Sequence, residues 1–302
     1  MSEKQYPIKY DSSYYVVSAN DLIKGKQKMS LRESQILSIA ISQVVKEDKD
    51  FKTYTTTVPE LAAFMMIDEN SLYRDLEGIC TSLCQQIVKI QIGGNNSKGR
   101  NKWKIFHWIS SAEYDNGKLI LRLSDDIKPF LLELNSYYSQ TLLGTLMTFR
   151  SYYATRLYQY LIADMGARWG NVEEWSFTCE QLRDIFQPYI IDTKGNVIKE
   201  LYTRTYDLVR YTIKPALEEL GASDYVYVWD YEEHRAAKRG RPLESVSFKA
   251  IFFDNKEKKE FYLKKSKPII EQQQAKSAAD QSEEEPLEGQ MSFLDSEKEE
   301  QE

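Results

Sequence analysis

The sequence predicts an α+β fold: two tandem winged-helix modules, each a helix-turn-helix with a β-hairpin wing, followed by a disordered acidic tail. Three observations carry this expectation. One order of elements occurs twice, namely a helix, a short strand, two helices, then two strands around a basic loop containing glycine. Capping boxes stand at matching points of the two copies, Thr57-Val58-Pro59-Glu60 and Thr178-Cys179-Glu180-Gln181. From Ser266 to Glu302 the chain carries 11 acidic and 3 basic residues and few apolar ones, too little apolar surface to offset the entropy of ordering. The modules are expected over residues 10–135 and 136–255, with a charged extension and tail over 256–302.

In the first copy, Tyr14-Tyr15-Val16-Val17 reads as an opening strand. Ser30-Leu31-Arg32-Glu33 is a capping box, and Ile36, Ile39, Ala40 and Val44 recur at helical spacing, so a helix is expected to about Val45. The threonine-rich, alternating stretch from Phe51 to Val58 suits a short strand. A helix from Thr57 to Met66 follows, a turn at Ile67-Asp68-Glu69-Asn70, and a second helix with Leu72, Leu76, Ile79 and Leu83 on one face. Wing strands are expected at Ile87–Ile92 and Trp103–Glu113, around Gly93-Gly94-Asn95-Asn96-Ser97-Lys98-Gly99-Arg100. Asp115-Asn116-Gly117 is a hairpin turn into a strand at Leu119–Leu123. Ser124–Leu134 reads as a helix, and with Ser139–Phe149 it bridges to the second copy.

The second copy opens with a helix over Ser151–Met165 and a short strand over Glu174–Phe177. Thr178 caps a helix to Phe186, residues 188–199 read as a loop, and a long helix is expected from about Glu200. Tyr225–Tyr231 and Leu243–Phe253 flank the second wing, whose loop is His234-Arg235-Ala236-Ala237-Lys238-Arg239-Gly240-Arg241-Pro242.

At 302 residues the chain is long enough for two cores, and its 42% hydrophobic and 28% charged content is that of a globular protein. No run of 18 apolar residues is present and the amino terminus lacks the apolar core of a signal peptide, so no membrane partner and a cytoplasmic location are expected. Cys80, Cys84 and Cys179 are odd in number and make no zinc pattern, which points to reduced, structural thiols. The net charge of −6 is unevenly placed: the tail holds −8, leaving +2 elsewhere. Residues 78–112 carry five cations and no acid. Local field, rather than the total, decides whether a phosphate backbone is attracted.

Projected at about 100° per residue, the second long helix places Leu201, Thr205, Leu208, Val209 and Thr212 on one side. Thr203, Asp207, Arg210 and Lys214 fall on the other, with Arg204 on a flank. That division is what a recognition helix needs, and arginine pairing with guanine is worth about 1–3 kcal/mol of discrimination. In the first copy Asn70, Arg74, Thr81 and Gln85 face outward, a weaker reader. Lys98, Arg100, Lys102 and Lys104 at the first wing, and Arg235, Lys238, Arg239 and Arg241 at the second, are the expected phosphate and minor-groove contacts. The bland reading of each is a solvated surface charge.

Catalytic and cofactor signatures are missing. No Gly-x-x-x-x-Gly-Lys-Ser/Thr, no Gly-x-Ser-x-Gly and no clustered metal ligands occur, and the only histidines are His107 and His234. A nickase needs a paired-histidine metal motif, and His107 has no second histidine beside it. The expectation is a binding protein with no catalytic residues, no metal and no cofactor.

Several stretches resemble the theta-type plasmid replication initiators that bind iterons, the RepA/RepE-like superfamily. They are Val16-Val17-Ser18-Ala19-Asn20-Asp21-Leu22-Ile23, Met29-Ser30-Leu31-Arg32-Glu33-Ser34-Gln35 and Trp108-Ile109-Ser110-Ser111-Ala112-Glu113-Tyr114. Leu121 to Leu132, Ser151-Tyr152-Tyr153-Ala154-Thr155-Arg156-Leu157-Tyr158, Ile213 to Leu220 and Lys238-Arg239-Gly240-Arg241-Pro242 complete the set, over roughly residues 14–253. The resemblance implies two winged-helix modules on successive turns of double-stranded origin DNA. It also implies monomers that open the origin, homodimers that repress, and recruitment of the host initiator and replicative helicase. The acidic tail lies outside it.

Within the tail, Gln290-Met291-Ser292-Phe293-Leu294 resembles the pentapeptide that binds the bacterial sliding clamp. Burying Met291, Phe293 and Leu294 would gain about 1.5–3 kcal/mol each, against several for ordering the segment. An alternative reading of the whole chain is a winged-helix transcriptional repressor, which needs no helicase or clamp. A nickase or primase-like polymerase is a third.

Overall fold

Local signals set most of the first half. The computed structural model describes residues 4–92, 102–134, 136–191, 197–237 and 240–265. Strand β1 (Gln5–Pro7) is followed by β2 (Tyr15–Ala19), the short helix α1 (Asn20–Lys24) and β3 (Lys26–Gln27). Helix α2 (Leu31–Ser42) starts at Ser30, whose hydroxyl accepts from the Glu33 N–H while the Glu33 carboxylate accepts from the Ser30 N–H. It ends at Ser42, three residues before the expected point, and every residue from Glu33 to Ser42 is buried. A helix buried on all sides is one pressed from both sides, here by β2, α4 (Glu69–Gln85), α6 (Leu143–Thr148) and α7 (Tyr152–Met165).

Strand β4 (Thr53–Thr57) leads into α3 (Val58–Phe64), capped reciprocally by Thr57 and Glu60, and then into α4, capped by Asp68. Leu72, Leu76 and Leu83 of α4 are buried, as its periodicity predicts. After α4 the chain forms β5 (Ile87–Ile92), β6 (Lys102–His107), β7 (Ile109–Asp115) and β8 (Lys118–Leu123). The Asn116-Gly117 turn between β7 and β8 has φ of 47° and 82°, the conformation that a two-residue hairpin turn demands.

The expected single strand from Trp103 to Glu113 is therefore two strands, in different sheets. Trp108 is the break: its side chain is buried, its N–H donates to the Gln86 carbonyl, and its own carbonyl accepts from the Ser124 N–H. Strands β3-β5-β6 form one sheet and β1-β4-β8-β7 another. This corrects the assignment of the first wing. In the second half the terminal hairpin joins the strand that precedes the helix pair; in the first half β7–β8 does so by pairing with β4. The hairpin with the basic loop, β5–β6, is an insertion that pairs with β3.

The expected helix over Ser124–Leu134 is a 3-10 turn at Asp125–Ile127 followed by the single-turn α5 (Lys128–Leu131). Strand β9 (Tyr138–Leu142) then crosses back to pair with β2, and α6 and α7 follow. Beyond α7 come β10 (Val172–Thr178) and α8 (Cys179–Phe186), which Thr178 and Gln181 cap reciprocally. Residues 188–199, expected to be a loop, carry a small hairpin of β11 (Tyr189–Ile191) and β12 (Val197–Glu200). The following helix starts later than expected. Tyr202 takes a left-handed φ of 54°, Arg204 is the N-cap, and α9 begins only at Thr205.

Helix α9 (Thr205–Leu208) runs through a π-helical turn at Val209–Ile213 into α10 (Lys214–Ala222). Pro215 has no N–H for the carbonyl four residues back, so the turn before it widens. Strands β13 (Val226–Arg235) and β14 (Leu243–Phe252) pair antiparallel, and with β10 they form a sheet of order β10-β14-β13. Residues up to Lys256 make one compact unit. The described residues after it, 257–265, are helical.

Arg156 joins the two halves. It is 1% exposed, and its guanidinium donates to the carbonyls of Ile23, of Gly25 at 2.8 Å and of Ile185 at 3.1 Å. Gly25 fits there because a Cβ would meet Val88 Cγ2 at 2.7 Å. Outer ion pairs Lys24–Asp164 at 2.7 Å and Lys26–Asp184 at 2.5 Å span the same junction. Exposed pairs of that kind contribute little. The buried guanidinium decides, since removing it strips its hydrogen bonds from three carbonyls in the interior. Arg156→Met is expected to destabilise the chain by about 3 kcal/mol or more. Urea unfolding followed by circular dichroism measures it, and a loss below about 1 kcal/mol would show that the junction is held elsewhere.

Candidate nucleic-acid interface

Most of the predicted cations lie on three elements: the inserted hairpin β5–β6, the helix from Thr205 to Ala222, and the hairpin β13–β14. On the inserted hairpin, Lys102 and Lys104 pair in register with Ile92 and Ile90. They share the face of the buried Ile90 yet are themselves exposed, on the edge strand of the sheet β3-β5-β6. Trp103 and Ile105 lie on the opposite face, 53% and 44% exposed, with the Lys89 ammonium 5.0 Å from the Trp103 ring centre. The Lys-Trp-Lys-Ile alternation was the signal for this aromatic and cationic face, which the sequence reading passed over. Lys98 and Arg100 lie outside the described residues.

Arg74 and Thr81 are on the exposed side of α4, as expected, but Arg74 is engaged by the adjacent Asp75 at 2.8 Å. Asp75 is accordingly held below the usual carboxylate range, first by that hydrogen bond. Behind α4, Leu76, Cys80, Cys84, Ala112 and Leu119 floor a groove whose rim includes Tyr73 and Tyr114. Burial pushes the Cys80 thiol up to about 11, so it is an inert packing group rather than a nucleophile.

In the second half Arg210 is exposed on the π-helical turn, its guanidinium 5.4 Å from the Tyr211 ring centre. Thr203 and Arg204 are exposed too, but both precede the helix rather than ride on it, a correction that follows from the left-handed Tyr202. Lys214 does not point away from its module. It pairs with Glu233 of β13 at 2.6 Å and lies over the Tyr231 ring. Arg235 reaches the other oxygen of the same carboxylate at 3.0 Å. The Lys214 ammonium, aided by Arg235, holds the Glu233 carboxyl below its ordinary range.

Strand β13 continues to Arg235, four residues past the expected Tyr231. The loop beyond it is closed at its base by the Ala236 N–H donating to the Pro242 carbonyl at 2.9 Å. Gly240 and Arg241 take left-handed φ of 85° and 40°, and Arg241 is exposed. Lys238 and Arg239 lie outside the described residues. Two further exposed groups on the helix went unread in the sequence, Tyr206 and Tyr211, 50% and 47% exposed. Tyrosine is abundant in this chain, 21 residues in all, so neither stands out in the sequence.

Among the described residues no group of histidine, cysteine or carboxylate side chains could hold a metal ion, and no helix is long and apolar enough to cross a membrane. The geometry offers cationic and aromatic side chains on a helix and two hairpins, the groups that grip phosphates and read base edges.

Comparison with known proteins places the first half of the chain. Residues 15–162 match the family model described as Initiator Replication protein, WH1. That segment belongs to the replication-initiator family. A replication initiation protein of Escherichia coli is 21% identical over 242 residues, which are 78% of this chain and 69% of that protein. The crystal structure of Pi initiator protein in complex with iteron DNA aligns with a TM-score of 0.62 at 19% identity, covering 81% of this chain and 100% of that one. The initiator match spans the junction, from β2 into α7, and so includes Arg156. The Pi initiator likeness carries the α+β fold through most of the second half as well.

The helix and the loop tip are expected to play separate roles on DNA. Arg210→Ala is expected to relax preference at one base position by about 1–3 kcal/mol. Arg239→Ala with Arg241→Ala should instead weaken binding to every duplex and flatten its salt dependence. Fluorescence anisotropy on cognate and scrambled duplexes at several salt concentrations separates the two. An equal response of both variants on both duplexes would refute the division.

Proposed function

We propose that the chain is a plasmid replication initiator that binds repeated origin DNA as two winged-helix modules, over residues 10–135 and 136–255, without catalysing a reaction. The observation that carries this is the helix–strand–helix pair–hairpin order present in both halves, in a chain whose first half belongs to the initiator family. The Escherichia coli replication initiation protein and the iteron-bound Pi initiator, which cover 78% and 81% of the chain, support the reading beyond that first half. A single hydrophobic core runs through both modules, so one body carries both sets of cations.

The second module is the main base reader, through Arg204, Arg210 and the groups beside them. The first contributes phosphate contacts from Arg74, Lys102, Lys104 and the Lys98–Arg100 loop, and the homodimer surface of the repressing form. Once the origin opens, the host initiator and replicative helicase are recruited. The tail segment Gln290–Leu294 hands the sliding clamp to the origin. The setting is the cytoplasm.

Footprinting of the full chain on the DNA flanking its own gene is expected to reveal tandem protected repeats at helical-turn spacing. A single palindromic site would favour a repressor, and uniform protection would remove sequence recognition altogether. For the tail, a peptide of residues 285–302 is expected to bind a bacterial sliding clamp in the micromolar range, about −8 kcal/mol. Undiminished binding of the Gln290→Ala/Phe293→Ala peptide would remove the clamp role.

A further inference from the structure

Arg183 lies on α8, the helix before the recognition helix, and was not among the cations read from the sequence. Its neighbours Leu182, Ile185 and Phe186 are buried, which fixes the helix that carries it. Its side chain, only 16% exposed, turns toward the segment that leads into α9. Nη2 donates to the Tyr202 carbonyl at 2.7 Å and to the Thr203 carbonyl at 3.1 Å. Nη1 lies 2.5 Å from Glu200 Oε1, an ion pair without hydrogen-bond geometry. One guanidinium thus holds three of the four residues before the Arg204 N-cap.

The middle of that segment is strained. Tyr202 has a φ of 54°, which a bulky residue adopts only when its surroundings over-determine it. Arg183 supplies one restraint at its carbonyl, and the ring supplies another. Tyr202 stacks on Tyr211, with centroids 5.4 Å apart and planes 26° from parallel. Tyr211 in turn carries the Arg210 guanidinium over its face. A continuous series of contacts therefore runs from α8 to the exposed arginine of the recognition helix: Arg183, Tyr202, Tyr211, Arg210.

We propose that Arg183 is a positioning residue for sequence recognition, which fixes Tyr202 in its left-handed conformation and, through the Tyr202–Tyr211 stack, fixes where Arg210 points. This rests on the proposed DNA-binding function and adds to it the residue that sets base preference without touching a base. A cation engaged by two carbonyls and a carboxylate has little left to offer a phosphate. Arg183 therefore acts on specificity rather than on general affinity.

The test uses the full chain, a duplex selected by the wild type from a random pool, and a scrambled duplex of the same length. Affinities are read at several salt concentrations, with thermal melting as the check on folding. Arg183→Ala is expected to lower the cognate-to-scrambled ratio about tenfold while leaving scrambled affinity and the salt slope unchanged. Tyr202→Gly, which relieves the strain but removes the stack, is expected to do the same and serves if Arg183→Ala fails to fold. In an Arg210→Ala background either change should cost less than about twofold more, because both act through that arginine.

An unchanged ratio in the folded variants would overturn the proposal. So would equal losses with and without Arg210, or a salt slope smaller by about one, the mark of a direct phosphate contact. A wild type that selects no sequence would instead sink the DNA-recognition reading itself.

Discussion

A single buried guanidinium organises this fold. Arg156 sits near the start of α7 and reaches backward in sequence to α1 and its C-cap, and forward to α8. It meets carbonyl oxygens, so its charge is spread over backbone dipoles of both halves. Burial pushes its pKa below the usual arginine value, yet arginine keeps its proton under such conditions where lysine would surrender it. The position tolerates little else: a planar fork of donors is what reaches three carbonyls on two backbone segments together. Around it β2 pairs with β9, and α2 is enclosed on every side. Hinge-like independence of the halves is not what this junction provides.

The sequence revealed the elements whose cause is local. All three capping boxes formed with both reciprocal hydrogen bonds, because each depends on residues three apart. The leucine face of α4 and the Asn116-Gly117 turn were legible for the same reason. What escaped was set by distant contacts. Nothing local in Trp103–Glu113 announces a break; the break exists because Trp108 is drawn into the core between two sheets. The alternation runs two adjacent strands together, and the basic insertion then stands where the first wing is expected.

The candidate site shows the same division. Arg210 and Arg74 were found on exposed helix faces because periodicity predicts exposure well. Periodicity does not predict partners. Lys214 stood on the outward side of an ideal helix, but the π turn and Glu233 of β13 redirect it. Thr203 was placed on a helix that does not yet exist at that point, since the strain at Tyr202 delays its start. The tyrosines that matter on this surface were hidden by their abundance, 21 in the chain, most of which offered no reason to single out Tyr206 or Tyr211.

Glu233 gives the second hairpin a property that its composition conceals. One carboxylate is shared by Lys214 and Arg235, so two cations are drawn in toward a single acid of the strand. A polyanion drawing on either cation would have to outcompete that internal acid before releasing counterions of its own. The base of the hairpin thus engages part of its positive charge internally, charge that composition alone would count as free.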